Sequence, residues 1–257
     1  MKKIFTSFLG FIQRLAKFAT SHYLLLSLLF FVGLELMMSF QQWIMGVAVV
    51  LLLLISYGIF LVRWEERGRF NLTQTVLPVL TAMGLAGFSL FIPLTPLIHM
   101  YYVLAAVVFF LLLRHGAKQA FPTWNWIITV LVFFLNTAVV LGLRYHLFLP
   151  LLLTLVFIFL ASFLLLLQAL RRVLPGLLKG VLLSLGVAMV LTQLAWVLQF
   201  LPIHFLVQAG VIVVFYYVLF HLIRIGYEGK SGRHEITEYV ILGTAALLLL
   251  LLTARWI

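Results

Sequence analysis

A chain of 257 residues that is 65% hydrophobic and only 9% charged is not a water-soluble globule, in which about a quarter of the residues carry charge. It contains no cysteine, so disulfides, thiolate metal sites, iron–sulfur clusters and cysteine nucleophiles are excluded. It contains no aspartate either: the six acidic residues are Glu35, Glu65, Glu66, Glu228, Glu235 and Glu238, which argues against aspartate-rich metal motifs and phosphoryl-transfer sites.

The first segment, residues 1–20, reads as an amphipathic helix lying on the cytoplasmic face of a membrane. Ile4, Phe5, Phe8, Leu9, Ile12, Leu15 and Phe18 recur at helical spacing on one side, while Lys3, Gln13, Arg14 and Lys17 occupy the other. Those polar residues also interrupt the apolar run that a cleavable signal peptide would need. From residue 21 to 257 the chain reads as a single transmembrane domain. A hydrocarbon core of about 30 Å requires about 20 apolar residues of helix, and that length recurs along the sequence. No alternation of the kind found in closed barrels is present, and a spanning helix satisfies its own backbone hydrogen bonds.

The expected fold is therefore an all-α polytopic bundle of about nine transmembrane helices preceded by the interfacial helix. The predicted spans are 21–40, 42–62, 72–92, 97–113, 123–143, 147–170, 179–200, 203–223 and 236–255. Between the fifth and sixth, only Arg144, Tyr145 and His146 interrupt the apolar run. Small residues are expected at close helix contacts: Ala82, Ala86 and Gly87 in the third span, Ser184, Gly186 and Ala188 in the seventh, Gly243 and Ala246 in the ninth.

Basic residues test the helix count, because cytoplasmic loops collect them. Of the 17 lysines and arginines, all but Arg144 and Arg255 fall before the first span or after the second, fourth, sixth and eighth. This places the protein in a cell membrane with its N-terminus cytoplasmic and its C-terminus outside. It also accounts for the net charge of +11 without a nucleic-acid partner, since the charge is spread over short loops. No nucleotide-binding fingerprint and no helical metalloprotease motif occurs.

Ionisable groups inside a membrane are costly, so they are the first functional candidates. Glu35 lies about two-thirds along the first span, at outer-leaflet depth. Asn136, Gln193 and Gln208 belong at a similar height once helix directions are assigned, and His99, Arg144, His146 and His204 at or beyond the outer ends. These eight residues are the candidate ligand-binding set, a polar pocket opening to the outer leaflet. Arg144 would hold an anionic group such as a lipid phosphate, and Glu35 would pair with it or carry a proton. The bland alternative is that Asn and Gln serve as interhelical hydrogen-bond glue and that histidines sit at interfaces. A metal site built from His99, His146 and His204 lacks any local motif, and neither cofactor nor metal nor catalytic residue is assigned.

The leading functional expectation is a non-enzymatic membrane protein whose partners are membrane lipids and, further, other membrane-protein subunits. A transporter or flippase-like carrier is the alternative, but it would need a polar path that Ser56, Thr81, Thr154 and Ser184 supply only in fragments. A third reading is an intramembrane lipid-modifying enzyme, with Glu35 and an outer histidine as acid and base.

Overall fold

The computed structural model describes residues 22–67, 72–93, 96–118, 122–171, 176–228 and 233–254. Among them are nine helices of 18 or more residues: α1 His22–Ser39, α2 Ile44–Arg67, α3 Leu72–Ser89, α4 Leu97–Lys118, α5 Pro122–Leu147, α6 Leu151–Leu170, α7 Leu177–Leu198, α8 Phe205–Glu228 and α9 Arg233–Thr253. A short 3₁₀ turn, Gln41–Trp43, joins α1 to α2. The amphipathic segment expected over residues 1–20 lies outside the described residues.

Eight of the nine helices are long and apolar enough to cross a membrane. In α3 the described apolar stretch is Thr75–Ser89, and Pro78 sits inside it. The protein is an all-α polytopic membrane bundle. Its outward surfaces are as apolar as its interior: Leu53, Leu152, Leu249 and Leu252 are exposed on helix faces that lipid would cover.

The chain divides into two compact units, one formed by residues 1–82 and 92–120, the other by residues 83–91 and 121–257. In the first, α1 packs against both α2 and α4. Phe30 of α1 meets Phe109 of α4 with ring centroids 4.9 Å apart, and Leu34, Ile55 and Leu113 complete the buried centre. The contact between α1 and α2 is set by glycine: a side chain at Gly33 would collide with Leu51, and one at Gly58 with Leu26. Without a hydrophobic driving force between helices in lipid, such close backbone approach is what gains dispersion energy.

In the second unit α5, α6, α7 and α8 form a closed ring of neighbours, each packed on the next and α8 back on α5, while α9 lies against α8. Phe133, Ile158, Leu191 and Tyr216 are fully buried at its centre. Ser184 and Ala188 are buried in the α7 interface as expected, and Gly87 and Gly243 receive Val139 and Val218. Gly186 is an exception. It is exposed with open space around it, because it lies two positions from both Ser184 and Ala188 and so falls on the other side of the helix.

Buried hydroxyls are mostly consumed locally. Ser27, Thr81, Thr154 and Ser162 each donate to the carbonyl four residues earlier, at 2.7 to 3.2 Å.

The link between α5 and α6 differs from the sequence expectation. Arg144, Tyr145 and His146 continue α5 as its last turn, and the break comes at Phe148–Pro150. A charged side chain at a helix end does not stop the backbone, since a long arginine carries its head to the membrane surface while the helix continues. The chain turns where Phe148 takes the left-handed conformation, φ 53°, and Pro150, with no N–H to donate, opens α6.

Candidate functional site

Each unit carries one polar cluster. In the first unit, Glu35 sits on the last turns of α1 and His99 in the first turn of α4. Glu35 Oε1 and His99 Nδ1 share a hydrogen bond of 2.9 Å. The side chains are 32% and 55% exposed respectively, so the pair lies at the surface of its unit and not in its core. Tyr102 packs edge-on against the imidazole at 6.4 Å.

In the second unit the cluster lies where α5 and α7 end and α6 and α8 begin. Arg144, three residues before the end of α5, donates through Nε to Gln199 Oε1 at 2.7 Å and through Nη1 to the carbonyl of Leu149 at 3.1 Å. Gln199, the residue that closes α7, passes the chain on: its Nε2 donates to Gln208 Oε1 at 3.1 Å. Gln208, in the first turns of α8, donates in turn to the carbonyl of Ile203, also at 3.1 Å. Four side-chain hydrogen bonds thus run from α5 through the end of α7 to the start of α8, and each amide is oriented by its neighbours.

These residues line a cavity of about 520 Å³, within the size range of ligand sites. Its remaining walls are Tyr145, which brings a phenol hydroxyl, and apolar residues that include Leu141, Phe148, Leu149, Leu201 and Phe205. Arg144 is the sole charged residue among those lining it. A guanidinium has five N–H donors, and Arg144 uses two of them, one on Nε and one on Nη1. Three remain without a partner among the described residues, and no carboxylate pairs with Arg144 there. A half-buried cation with spare donors, held by amides beside an apolar hollow, can take an oxyanion.

Not all eight candidates gather at this place. Arg144 and Gln208 line the cavity; Asn136, His146, Gln193 and His204 belong to the same unit but do not. Asn136 is 2% exposed and packs beside Gly84, and its amide donates to the Val132 carbonyl of its own helix at 2.8 Å, a bond within α5 and not between helices. His146 is held among rings, 5.6 Å from both Phe91 and Phe205. His204 precedes α8 and caps it: Nδ1 accepts from the Leu206 N–H at 3.3 Å, and its carbonyl accepts from Val207 and Gln208. Gln193 is exposed.

Glu35 and His99 belong to the first unit and Arg144 to the second, and Glu35 and Arg144 each have a hydrogen-bond partner within their own unit. Among the described residues, no group of three or more His, Cys, Asp and Glu side chains could hold a metal ion, so His99, His146 and His204 form no such site.

Gln199 is the residue that sequence reasoning missed. It lies seven residues after Thr192, two turns further on the same face of α7, whereas Gln193 sits one step round. Depth along the span is readable from sequence; helix phase relative to a partner carries the rest.

A helical membrane bundle with a singly charged cavity at one end is the class that this fold and site define. The chain belongs to the family described as protein of unknown function (DUF5656), whose model matches residues 29–253, reaching from within α1 to the end of α9. No curated protein and no solved structure matches the chain.

Proposed function

We propose that this is a non-enzymatic multi-pass protein of a cell membrane that binds a lipid or small anionic ligand at the Arg144 cavity. The observation that carries this reading is the Arg144–Gln199–Gln208 chain: it orients a guanidinium with spare donors beside an apolar hollow and supplies no carboxylate to neutralise it. The concentration of basic residues in alternate loops supports a cytoplasmic N-terminus and an outer C-terminus, an orientation in which the cavity would open to the outer leaflet. The local use of Thr81 and Thr154 hydroxyls on their own helices counts against a polar path through the membrane, and so against a carrier.

The test is lipid retention by the purified full-length protein, measured by native mass spectrometry beside Arg144→Gln. Wild-type protein keeps an anionic species that the variant loses. Equal retention by both removes the proposal. Reporter fusions at each terminus check the orientation separately.

One observation favours a second reading. A carboxylate bonded to Nδ1 of an exposed imidazole, as in Glu35–His99, leaves Nε2 open as a proton acceptor, which is the arrangement an acid–base enzyme acting on lipid would use. Turnover of a lipid substrate that is abolished by Glu35→Gln, with the fold intact, would replace the binding reading with this one.

A further inference from the structure

We infer that the Arg144 cavity selects a phosphodiester monoanion without a neighbouring ammonium, as in the headgroup of an anionic glycerophospholipid; this rests on the binding reading above. The first step is charge. Among the described residues Arg144 alone brings a formal charge to the cavity wall; Gln199 and Gln208 are neutral amides already bonded to one another, and Tyr145 adds a phenol hydroxyl. A ligand of charge −1 is neutralised there. A phosphomonoester carries about −1.5 to −2 at neutral pH, so it would bring uncompensated charge into a hollow walled by Leu141, Leu149, Leu201 and Phe205.

The second step is donor geometry. Nε and one N–H of Nη1 are fixed by Gln199 and by the Leu149 carbonyl, so the guanidinium cannot swing away, and its remaining donors lie on Nη1 and Nη2. Two non-bridging oxygens of a diester match two such donors. Gln199 matters by holding the plane of that fork, which makes it a positioning residue.

The third step is what the site lacks. Among the described residues no carboxylate lines the cavity, so the ammonium of a zwitterionic headgroup would find no partner there and would have to stay in water. Beside the cavity, Leu147 and Phe148 are exposed, Phe148 to 87%, and offer apolar surface to the acyl chains of a lipid whose phosphate is held by Arg144. A soluble phosphodiester would gain nothing from them.

The experiment uses full-length protein in detergent, titrated separately with dioleoyl-phosphatidylglycerol, dioleoyl-phosphatidic acid and dioleoyl-phosphatidylethanolamine, with bound lipid counted by native mass spectrometry. The expected order is the glycerol lipid ahead of both others by about fivefold or more, with Arg144→Gln lowering its binding about tenfold. The ranking is read on wild-type protein, so it stands even if a variant fails to fold. Phosphatidic acid binding as well as or better than phosphatidylglycerol, still lost in Arg144→Gln, overturns the monoanion assignment while leaving an anionic-lipid site. Equal binding of all three lipids by wild type and Arg144→Gln overturns both. Displacement of bound phosphatidylglycerol by an equimolar soluble glycerophosphoglycerol overturns the lipid source in favour of a soluble diester.

Discussion

Arg144 Nε donates to Gln199 Oε1 over 2.7 Å, and this bond ties the last turn of α5 to the residue that closes α7. The two lie 55 residues apart, so the contact belongs to tertiary structure alone. A hydrogen bond to a charged donor typically contributes about 1.5–3 kcal/mol, and more is at stake when the partner left behind is half-buried. Gln199→Leu removes the acceptor while keeping the size of the side chain. The expected outcome is a loss of about 1–3 kcal/mol, read as a lowered thermal midpoint in detergent. An unchanged midpoint would show that the network positions Arg144 without stabilising the unit.

Gln199→Glu separates stability from binding. The new carboxylate keeps an acceptor for Arg144 and adds a charge that neutralises it, but it loses the Nε2 donor that serves Gln208 Oε1, so gain and loss oppose each other and the thermal midpoint changes little. Retention of an anionic ligand falls about tenfold or more, because the cation is satisfied internally. Stability and binding that fall together would point to a distorted site, and an unaffected ligand would place it elsewhere.

Phe148 tests the backbone directly. Its φ of 53° lies where a side chain costs about 1–2 kcal/mol and glycine costs almost nothing. Phe148→Gly and Phe148→Ala both lose the ring, so their difference isolates the conformation. Glycine is expected to be the more stable of the two by about 1 kcal/mol, the reverse of their order inside a helix. Thermal unfolding of the two variants side by side reads the sign.

The helical plan was legible because the bilayer imposes it: a fixed thickness demands apolar runs of fixed length, and basic residues punctuate them. What escaped was whatever depends on how one helix is rotated against another. Gln193 and Gln199 are equally polar and belong to the same span, yet only Gln199 faces Arg144. Glu35 was the first candidate from its depth, but its partner, His99, lies on a helix that no local pattern links to α1. Arg144, Tyr145 and His146 looked like a loop because polarity was the signal, whereas the turn is made by Phe148 and Pro150, whose apolar character hid it. The division into two units was legible only in part: one boundary falls in the polar stretch after Lys118, but another falls inside α3, between residues 82 and 83, where no polar linker marks it.

Close packing in the first unit is open to a volume test. A Cβ at Gly58 would meet one methyl of the buried Leu26 side chain, and a Cβ at Gly33 would meet the end of Leu51 more fully. Gly58→Val makes Leu26 repack against α2, and overpacking of this kind costs about 1–3 kcal/mol. Gly46, on the same helix, has open space around it, so Gly46→Val serves as the matched control and should leave the midpoint almost unchanged. Equal destabilisation by both would mean that backbone propensity, and not contact with α1, sets the effect.

The exposed Glu35–His99 contact invites a double-mutant cycle. A surface ion pair is worth about 0–1 kcal/mol, so Glu35→Gln, His99→Ala and the double variant should differ from wild type by little, with coupling in that range. A small coupling leaves the pair without a structural task, and the carboxylate then serves to orient the imidazole, as the acid–base reading requires. Measured coupling well above 1 kcal/mol would instead make the pair a structural clamp between α1 and α4, and the acid–base reading would lose its footing.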